Sequence, residues 1–299
     1  STLVDRKPRR LGALGEVGPI AFGQWRYTSP DLGRAQHLLE TALDAGMNLI
    51  DTADVYGLDW GGQGFGAVEA LLGRVLADAP ELRARMVIAT KGGIRPPVPY
   101  DSSAAWLRQA CDDSLRRLGV DTIDLYQIHR PDLYSHPAAV AETLVSLRDA
   151  GKIRAVGVSN HTVAQTDALA AHLPFELVST QPEFSAAVLS PMRDGTLDHC
   201  MQHGIVPLAW SPLAGGRLAT GDGGATDLIA VLDRIAEREE VDRAHVAIAF
   251  VLAHPAAPVA IVGTQDADRL AATTRAFDVR LDRSDVYSIV QASEGMSLP

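Results

Sequence analysis

The sequence has little cysteine and few aromatic residues. Two of its 299 residues are cysteine, Cys111 and Cys200, and only 5% are Phe, Trp or Tyr. Two thiols that both fall in predicted helices supply no disulfide framework, and the sequence contains neither an HxH nor a CxxC pair. We therefore expect reduced, partly buried thiols, a cytoplasmic protein and no bound metal.

Long apolar runs and an excess of positive charge are also missing. No uninterrupted apolar stretch is long enough to span a bilayer, and no apolar segment follows the charged start STLVDRKPRR, so we predict no signal peptide. The formal net charge is −10. This charge argues against nucleic acid or an anionic membrane as the main partner.

A strand–loop–helix unit recurs along the chain, without a low-complexity linker or charged block to divide it. Several apolar runs are continuous rather than alternating, which is typical of parallel strands covered on both faces. The predicted strands are residues 20–23, 48–51, 86–90, 123–128, 155–159, 177–181, 206–210 and 259–262. Serine, proline and glycine mark the helix ends between them, and Ser29 with Pro30 is predicted to start the first helix.

Eight such units predict an α/β fold, a (β/α)₈ TIM barrel that occupies residues 1–299 as a single domain. Residues 2–17 precede the first unit and carry two glycines, so they are expected to form an extra hairpin under the barrel floor. The tail after residue 282 predicts an added C-terminal helix.

Chemically active side chains follow three successive predicted strands. Asp51 ends the strand in MNLIDTADVYG, Tyr56 stands in the loop behind it, Lys91 follows VIAT and His129 follows DLYQI. Active sites of such barrels lie at the carboxyl ends of the strands, so the four side chains are expected to converge. A carboxylate, an ammonium and an imidazole can together lower the pKa of a phenol and pass its proton to a substrate oxygen.

Each of these residues, taken singly, also has a purely structural explanation. Asp51 suits a helix N-cap, Lys91 suits a solvated loop, and His129 suits a hydrogen-bonded histidine before the turn-forming letters RPD. The convergence of four compatible groups on one rim is what favours an active site.

Six motifs in this order resemble the aldo-keto reductase family. They are MNLIDTADVYG, VIATKGG, IDLYQIHRPD, GKIRAVGVSN, LAWSPLAGG and VAIVGT, and the resemblance spans residues 20–287. HRPD after the fourth strand and the run LPFELVSTQPEFS are similar to a bacterial subgroup of general aldehyde and sugar-type reductases. The resemblance implies reduction of an aldehyde or ketone, such as a sugar-derived aldehyde, by hydride from a nicotinamide cofactor.

The resemblance also assigns catalytic roles. Tyr56 is the general acid that protonates the carbonyl oxygen, and Lys91 favours its phenolate. Asp51 pairs with Lys91 and holds it, while His129 orients the carbonyl. A free phenol has a pKa of about 10, and a nearby cation is expected to lower the pKa of the Tyr56 phenol towards neutral pH.

Further residues match the family's cofactor groove. The nicotinamide carboxamide is assigned to Ser159, Asn160 and Gln181, and its ring to Trp210, which as a core aromatic would have a structural role instead. Small residues allow close backbone approach to pyrophosphate and an arginine pairs with it. This segment consists of Ser211, Leu213, Gly215, Gly216 and Arg217.

The segment at the adenosine end of the groove contains residues that favour different cofactors. Gly263 and Thr264 precede a predicted helix whose N-terminus suits phosphate, and Arg269 matches the arginine that meets the 2′-phosphate of NADPH. A carboxylate at Asp266 suits the ribose 2′-hydroxyl of NADH instead. Thr273 stands where relatives often contact adenine. We expect NADPH, with NADH as the alternative.

Loops after the early strands are expected to line the substrate pocket. Trp25 fits an apolar wall beside the carbonyl, and Trp60 follows Tyr56 closely. Arg26 and Arg95 suit the hydroxyls of a sugar or an acidic group, or else point outward into solvent.

Three other functions fit the same residues. An NAD-linked sugar or alcohol dehydrogenase would run the reaction oxidatively. Lys91 at a strand end could instead form a Schiff base with a carbonyl, as in a lyase. The third is a nucleotide-sensing module that keeps the fold but turns over slowly.

Overall fold

Eight parallel strands close into a barrel in the computed structural model, which describes residues 2–222 and 225–299. The strands follow one another around the ring in chain order, as the sequence predicted. They are β1 (Ile20–Gly23), β2 (Leu49–Asp51), β3 (Val87–Gly92), β4 (Ile123–Ile128), β5 (Ile153–Ser159), β6 (Ser179–Gln181), β7 (Val206–Ala209) and β8 (Val259–Val262).

Helices cover the outside of this barrel. They are α1 (Leu32–Asp44), α2 (Ala67–Asp78), α3 (Ala104–Leu118), α4 (Pro137–Asp149), α5 (Val163–Ala170), α6 (Ser190–Arg193), α7 (Thr196–His203), α8 (Arg217–Thr220), α9 (Thr226–Glu239), α10 (Arg243–Leu252), α11 (Ala267–Ala272) and α12 (Arg283–Glu294). The predicted C-terminal helix is α12, which packs against α9. Within the described residues, no helix has both the length and the apolar character needed to cross a membrane.

The amino-terminal end of the barrel is closed by a hairpin whose antiparallel strands are Arg9–Arg10 and Glu16–Val17. Leu11 and Val17 of this hairpin are buried against the first inward-facing side chains of the strands, including Leu49 and Val259. The predicted plug is therefore confirmed. This end is filled with apolar side chains, so a polar site is expected at the opposite rim, where the carboxyl ends of the strands lie.

Most helix ends follow the predicted capping residues, with one exception. The Ser103 hydroxyl accepts from the amide of Trp106 at the start of α3, and Gly119 ends that helix in a left-handed conformation. The prediction that Ser29 caps α1 is wrong. Asp31 is the N-cap, because its carboxylate reaches the amide of Arg34, while the Ser29 hydroxyl accepts from the Asp31 amide.

Cys111 and Cys200 are both buried and free. Burial raises the pKa of each thiol to about 12, which makes both thiols poor nucleophiles. The two cysteines therefore act as small apolar core residues on α3 and α7.

Candidate active site

Four polar side chains meet at the carboxyl ends of β2, β3 and β4. Asp51 is the last residue of β2, Lys91 is the fifth residue of β3, and His129 follows β4 directly. Tyr56 comes from the loop after β2. The structure therefore brings together the four residues that the sequence predicted to converge.

Lys91 is the centre of this group. Its ammonium is fully buried and donates to Asp51 Oδ2 at 2.8 Å, to the Thr52 carbonyl at 2.8 Å and to the Tyr56 hydroxyl at 3.1 Å. Burial by itself lowers the pKa of Lys91, but Asp51 and Tyr56 outweigh it and the pKa is raised above the ordinary lysine value. Lys91 therefore stays charged, and a charged lysine is a poor amine nucleophile.

The pKa of Tyr56 differs from the prediction. Burial raises the pKa of the phenol, Lys91 lowers it, and Asp51 raises it, with a net increase over the ordinary tyrosine value. The expected lowering by Lys91 is present, but the desolvation of the phenol by burial is the larger effect. In this state the phenol holds its proton at neutral pH, as a proton donor must.

His129 lies edge-on to Tyr56, with ring centroids 6.0 Å apart. Burial, Lys91 and Arg130 lower the pKa of His129 well below its usual value, so the imidazole is neutral at pH 7. Its Nδ1 is buried without a partner among the described residues. A neutral imidazole beside the phenol can donate one hydrogen bond to a carbonyl oxygen without adding a charge.

Two glutamines hold the other oxygen of Asp51. Gln181 Nε2 donates to Asp51 Oδ1 at 2.9 Å, and Gln127 Nε2 lies 3.5 Å from the same oxygen. Both side chains are buried. Gly157 on β5 leaves room for this arrangement, because a Cβ there would collide with Ser179 and press on Gln127. Gln127 was not predicted as a site residue, although its amide stands out in the mostly apolar strand IDLYQI.

A second buried polar cluster lies behind Lys91 and was also missed. Glu69 on α2 accepts from Thr90 at 2.6 Å and from Arg117 at 2.8 Å. The Asp54 carboxyl is buried nearby, with no hydrogen-bond partner for either oxygen among the described residues. Burial and the nearby Glu69 raise the pKa of Asp54 well above its usual value.

The residues assigned to the nicotinamide form one hydrogen-bonded chain beside the four. Asn160 has a left-handed backbone and donates to the His129 carbonyl at 3.2 Å and to Ser159 Oγ at 2.9 Å. The Trp210 indole donates to Asn160 Oδ1 at 3.1 Å. Ser159 Oγ donates to the Gln181 carbonyl at 3.1 Å. The four predicted residues therefore meet, and they lie next to the catalytic candidates.

The segment after β7 runs along the same rim. Ser211, Gly215 and Gly216 all have positive φ, and a Cβ on either glycine would meet no neighbour within 4 Å, so their backbone is open to close approach. Leu213 is half-buried at the start of this turn, and the exposed Arg217 donates to the Ala214 carbonyl at 3.0 Å.

At the adenosine end, Gly263 and Thr264 lead from β8 into α11. Asp266 is the N-cap of α11, since its Oδ1 accepts from the Arg269 amide at 2.9 Å, and its other oxygen lies 3.7 Å from the Arg269 guanidinium. Asp266, which favours NADH, and Arg269, which favours NADPH, are thus paired with each other. The Arg269 side chain remains largely exposed.

Two further side chains at this end make contacts that were not predicted. The buried Thr273 hydroxyl donates to the Leu270 carbonyl at 2.6 Å, so it is engaged within its own helical segment. Arg34 of α1, which was not predicted as a site residue, donates to the Gln265 carbonyl at 3.1 Å and brings a second cation to the segment.

An aromatic cluster stands at the mouth of the site. The rings of Trp25 and Trp60 lie 5.1 Å apart edge to face, and the Arg26 guanidinium lies 4.4 Å from the Trp60 centroid. Arg26 also donates to the Gly215 carbonyl at 3.2 Å, which links the substrate loops to the segment after β7. Both tryptophans are at least one-third exposed.

Arg95 contacts a different set of residues. It lies on a hairpin that the sequence did not predict, formed by Ile94–Arg95 and Val98–Tyr100. Its guanidinium pairs with Asp101 at 2.6 Å and lies 4.8 Å from the Trp106 ring centroid.

Comparisons with known proteins agree with the barrel fold. Residues 19–294 match the model of the Aldo/keto reductase family. The chain is 49% identical over 297 residues to a 6-dehydroglucose reductase of Novosphingobium aromaticivorans, covering 97% of each chain. It is 35% identical to a 6-dehydroglucose reductase of Agrobacterium fabrum, covering 94% of this chain and 95% of the other. The solved glycerol dehydrogenase AKR11B4 from Gluconobacter oxydans is similar at 27% identity with a TM-score of 0.81, covering 95% and 94%.

Proposed function

This chain belongs to the aldo/keto reductase family, and from that premise we propose that it reduces the aldehyde group of an oxidised sugar to an alcohol with hydride from NADPH. The observation that carries the proposal is the buried Lys91 ammonium, which touches Asp51 and the Tyr56 hydroxyl at once. A proton donor fixed next to a permanent cation suits a reaction in which a carbonyl oxygen gains charge.

The donor set of the rim fits a nicotinamide dinucleotide. Ser159, Asn160 and Gln181 offer the hydroxyl and amide groups that a carboxamide needs, and Trp210 offers an aromatic face beside them. The open glycine backbone after β7 with Arg217, and Arg269 at α11, suit the phosphates. When bound, the cofactor supplies the hydride.

The protein's own part of the reaction is to place a proton. Tyr56 gives its hydroxyl proton to the carbonyl oxygen as that oxygen gains charge, and Lys91 stabilises the phenolate that remains. Neutral His129 donates a hydrogen bond that orients the same oxygen. One aldehyde, one hydride and one proton thus give one alcohol, and solvent later restores the proton to Tyr56.

The proposed sugar substrate rests on similarity and on the chemistry of the mouth. Both reported curated relatives carry the name 6-dehydroglucose reductase. The exposed faces of Trp25 and Trp60 suit the apolar faces of a sugar ring, and the Arg26 guanidinium suits its hydroxyls.

The test is a comparison of substrates with the purified protein. NADPH oxidation is followed by absorbance with 6-dehydroglucose, with an aliphatic aldehyde that lacks a sugar ring, and with glucose. We expect the highest kcat/KM for 6-dehydroglucose, and we expect kcat to fall by a factor of about 10²–10⁴ in Tyr56→Phe. Faster oxidation of glycerol or a sugar alcohol with NAD⁺ would favour the dehydrogenase alternative. Turnover of no carbonyl would contradict the proposal.

A further inference from the structure

Three side chains with metal-binding atoms meet on the outer surface of the barrel, away from the site described above. His199 and His203 are one helical turn apart on α7, and Asp167 comes from the neighbouring α5. One ligand atom from each side chain lies within 4.8 Å of the other two. His199 Nε2 is 2.7 Å from Asp167 Oδ1, and the two imidazole ring centroids are 4.4 Å apart.

The spacing follows from helix geometry. Residues i and i+4 project from the same face of an α-helix, so both imidazoles point to the same spot. His199 is only 9% exposed in its side chain, whereas Asp167 is 57% exposed. The packed His199 therefore fixes the position of the cluster, and the two more exposed side chains are free to adjust around it.

We propose that Asp167, His199 and His203 form a binding site for a divalent transition-metal ion of the zinc type. Two imidazoles and one carboxylate make up a ligand set that Zn²⁺ accepts, whereas Mg²⁺ and Ca²⁺ prefer oxygen ligands. Three protein ligands leave one position of a tetrahedral ion to water or to a ligand from outside.

The three ligand atoms lie within 4.8 Å of one another and must move to the spacing that a bound ion requires. With metal–ligand bonds of about 2.0–2.1 Å, tetrahedral geometry places ligand atoms about 3.3 Å apart. The pair of His199 and Asp167 is somewhat closer than this, because they share a hydrogen bond that the metal replaces. Rotation of the exposed Asp167 and His203 side chains supplies the difference.

Such an ion would join α5 to α7. These helices follow β5 and β6, which carry Ser159 and Gln181 at their ends. The metal would therefore stabilise the contact between these two outer helices. The site is independent of the proposed reduction, so either proposal can fail without the other.

The test uses the whole chain purified without a polyhistidine tag and freed of metal with a chelator. Co²⁺ is added as a probe and its visible absorption is followed, and Zn²⁺ is then added as a competitor. We expect one Co²⁺ per chain with tetrahedral-type bands, displacement by Zn²⁺, weaker binding at acidic pH, and a rise in Tm with Zn²⁺.

Matched variants locate the binding. His203→Gln and Asp167→Asn change exposed side chains and should each weaken Co²⁺ binding by about tenfold or more, the loss that even outer-sphere changes produce in metal sites. His172→Ala is the control, because His172 is also exposed and pairs with another histidine, His136, at 5.9 Å. Absence of Co²⁺ binding by the native chain, or equal binding by native chain and His203→Gln, would overturn the proposal.

Discussion

Gln181 donates a hydrogen bond of 2.9 Å to Asp51, and this bond joins the proposed cofactor groove to the proposed catalytic group. Gln181 comes from β6 and Asp51 from β2, so the bond crosses the interior of the barrel. Asp51 therefore receives Lys91 on one oxygen and an amide on the other. A carboxylate held on both oxygens has one orientation, and so does the lysine paired with it.

Gln127 is expected to position Asp51 without touching the substrate. Replacement of Gln127 by Leu removes the longer of the two amide contacts to Asp51 and leaves the contact from Gln181 in place. We expect kcat to fall by about tenfold, which corresponds to the loss of roughly one hydrogen bond to a charged group. The affinity for NADPH should change little. Steady-state rates across pH measure kcat, and a fluorescence titration measures NADPH affinity. If Gln127→Leu changes NADPH affinity and leaves kcat and its pH profile intact, Gln127 serves the groove and not the catalytic group.

Tyr56→Phe removes the proton donor and preserves the ring. Loss of a general acid typically costs a factor of about 10²–10⁴ in rate, so kcat should fall by this amount while the NADPH dissociation constant stays within a factor of about two of the native value. Stopped-flow reduction and equilibrium titration give the two quantities. Full activity in Tyr56→Phe would require a different donor.

Lys91→Met should affect both activity and stability. Without the ammonium, the pKa of Tyr56 rises further and proton transfer slows. The Asp51 charge is left buried and unpaired, a change that costs about 3–5 kcal/mol in proteins. Urea unfolding measures this loss. The double variant Asp51→Asn with Lys91→Met is the control, since it should recover much of the stability and none of the activity.

Arg269→Ala tests the 2′-phosphate assignment. A charge-assisted hydrogen bond contributes about 1.5–3 kcal/mol, so NADPH affinity should fall by at least about tenfold, with little effect on NADH. Titrations with both cofactors check this. Arg34→Ala is the comparison, because Arg34 brings a second cation to the same segment through Gln265. Equal losses for NADPH and NADH would remove Arg269 from this role.

Asp54→Asn should stabilise the protein at neutral pH. Asp54 has a folded pKa raised by burial and by Glu69, so its contribution to stability is full below the unfolded value of about 3.9 and is lost as pH rises. The Asn side chain has the same shape and does not ionise, so the variant avoids this loss of stability as pH rises. The gain in Tm should be largest near pH 7.5 and shrink towards pH 5. A gain in Tm that does not depend on pH would contradict the raised pKa of Asp54.

The order of strands and the position of the four catalytic candidates were predictable from local patterns. Apolar runs ending in Asp51, Lys91 and His129 predict strand ends, and parallel strands place such ends on one rim. Boundaries shifted by a few residues, as in β3, which extends through Lys91 to Gly92. The start of α1 was missed because Ser29 and Asp31 both suit an N-cap, and only the backbone path decides between them.

The barrel and the residue types at its rim are readable from the amino-acid sequence, because both depend on short-range periodicity and chain order. Tertiary structure decided the rest, since it depends on distances between separate segments. Only the closed ring sets Gln127 and Gln181 on Asp51, and Asp167 beside His199. Only burial in that ring makes the net pKa shift of Tyr56 upward, because desolvation is a property of the packed fold.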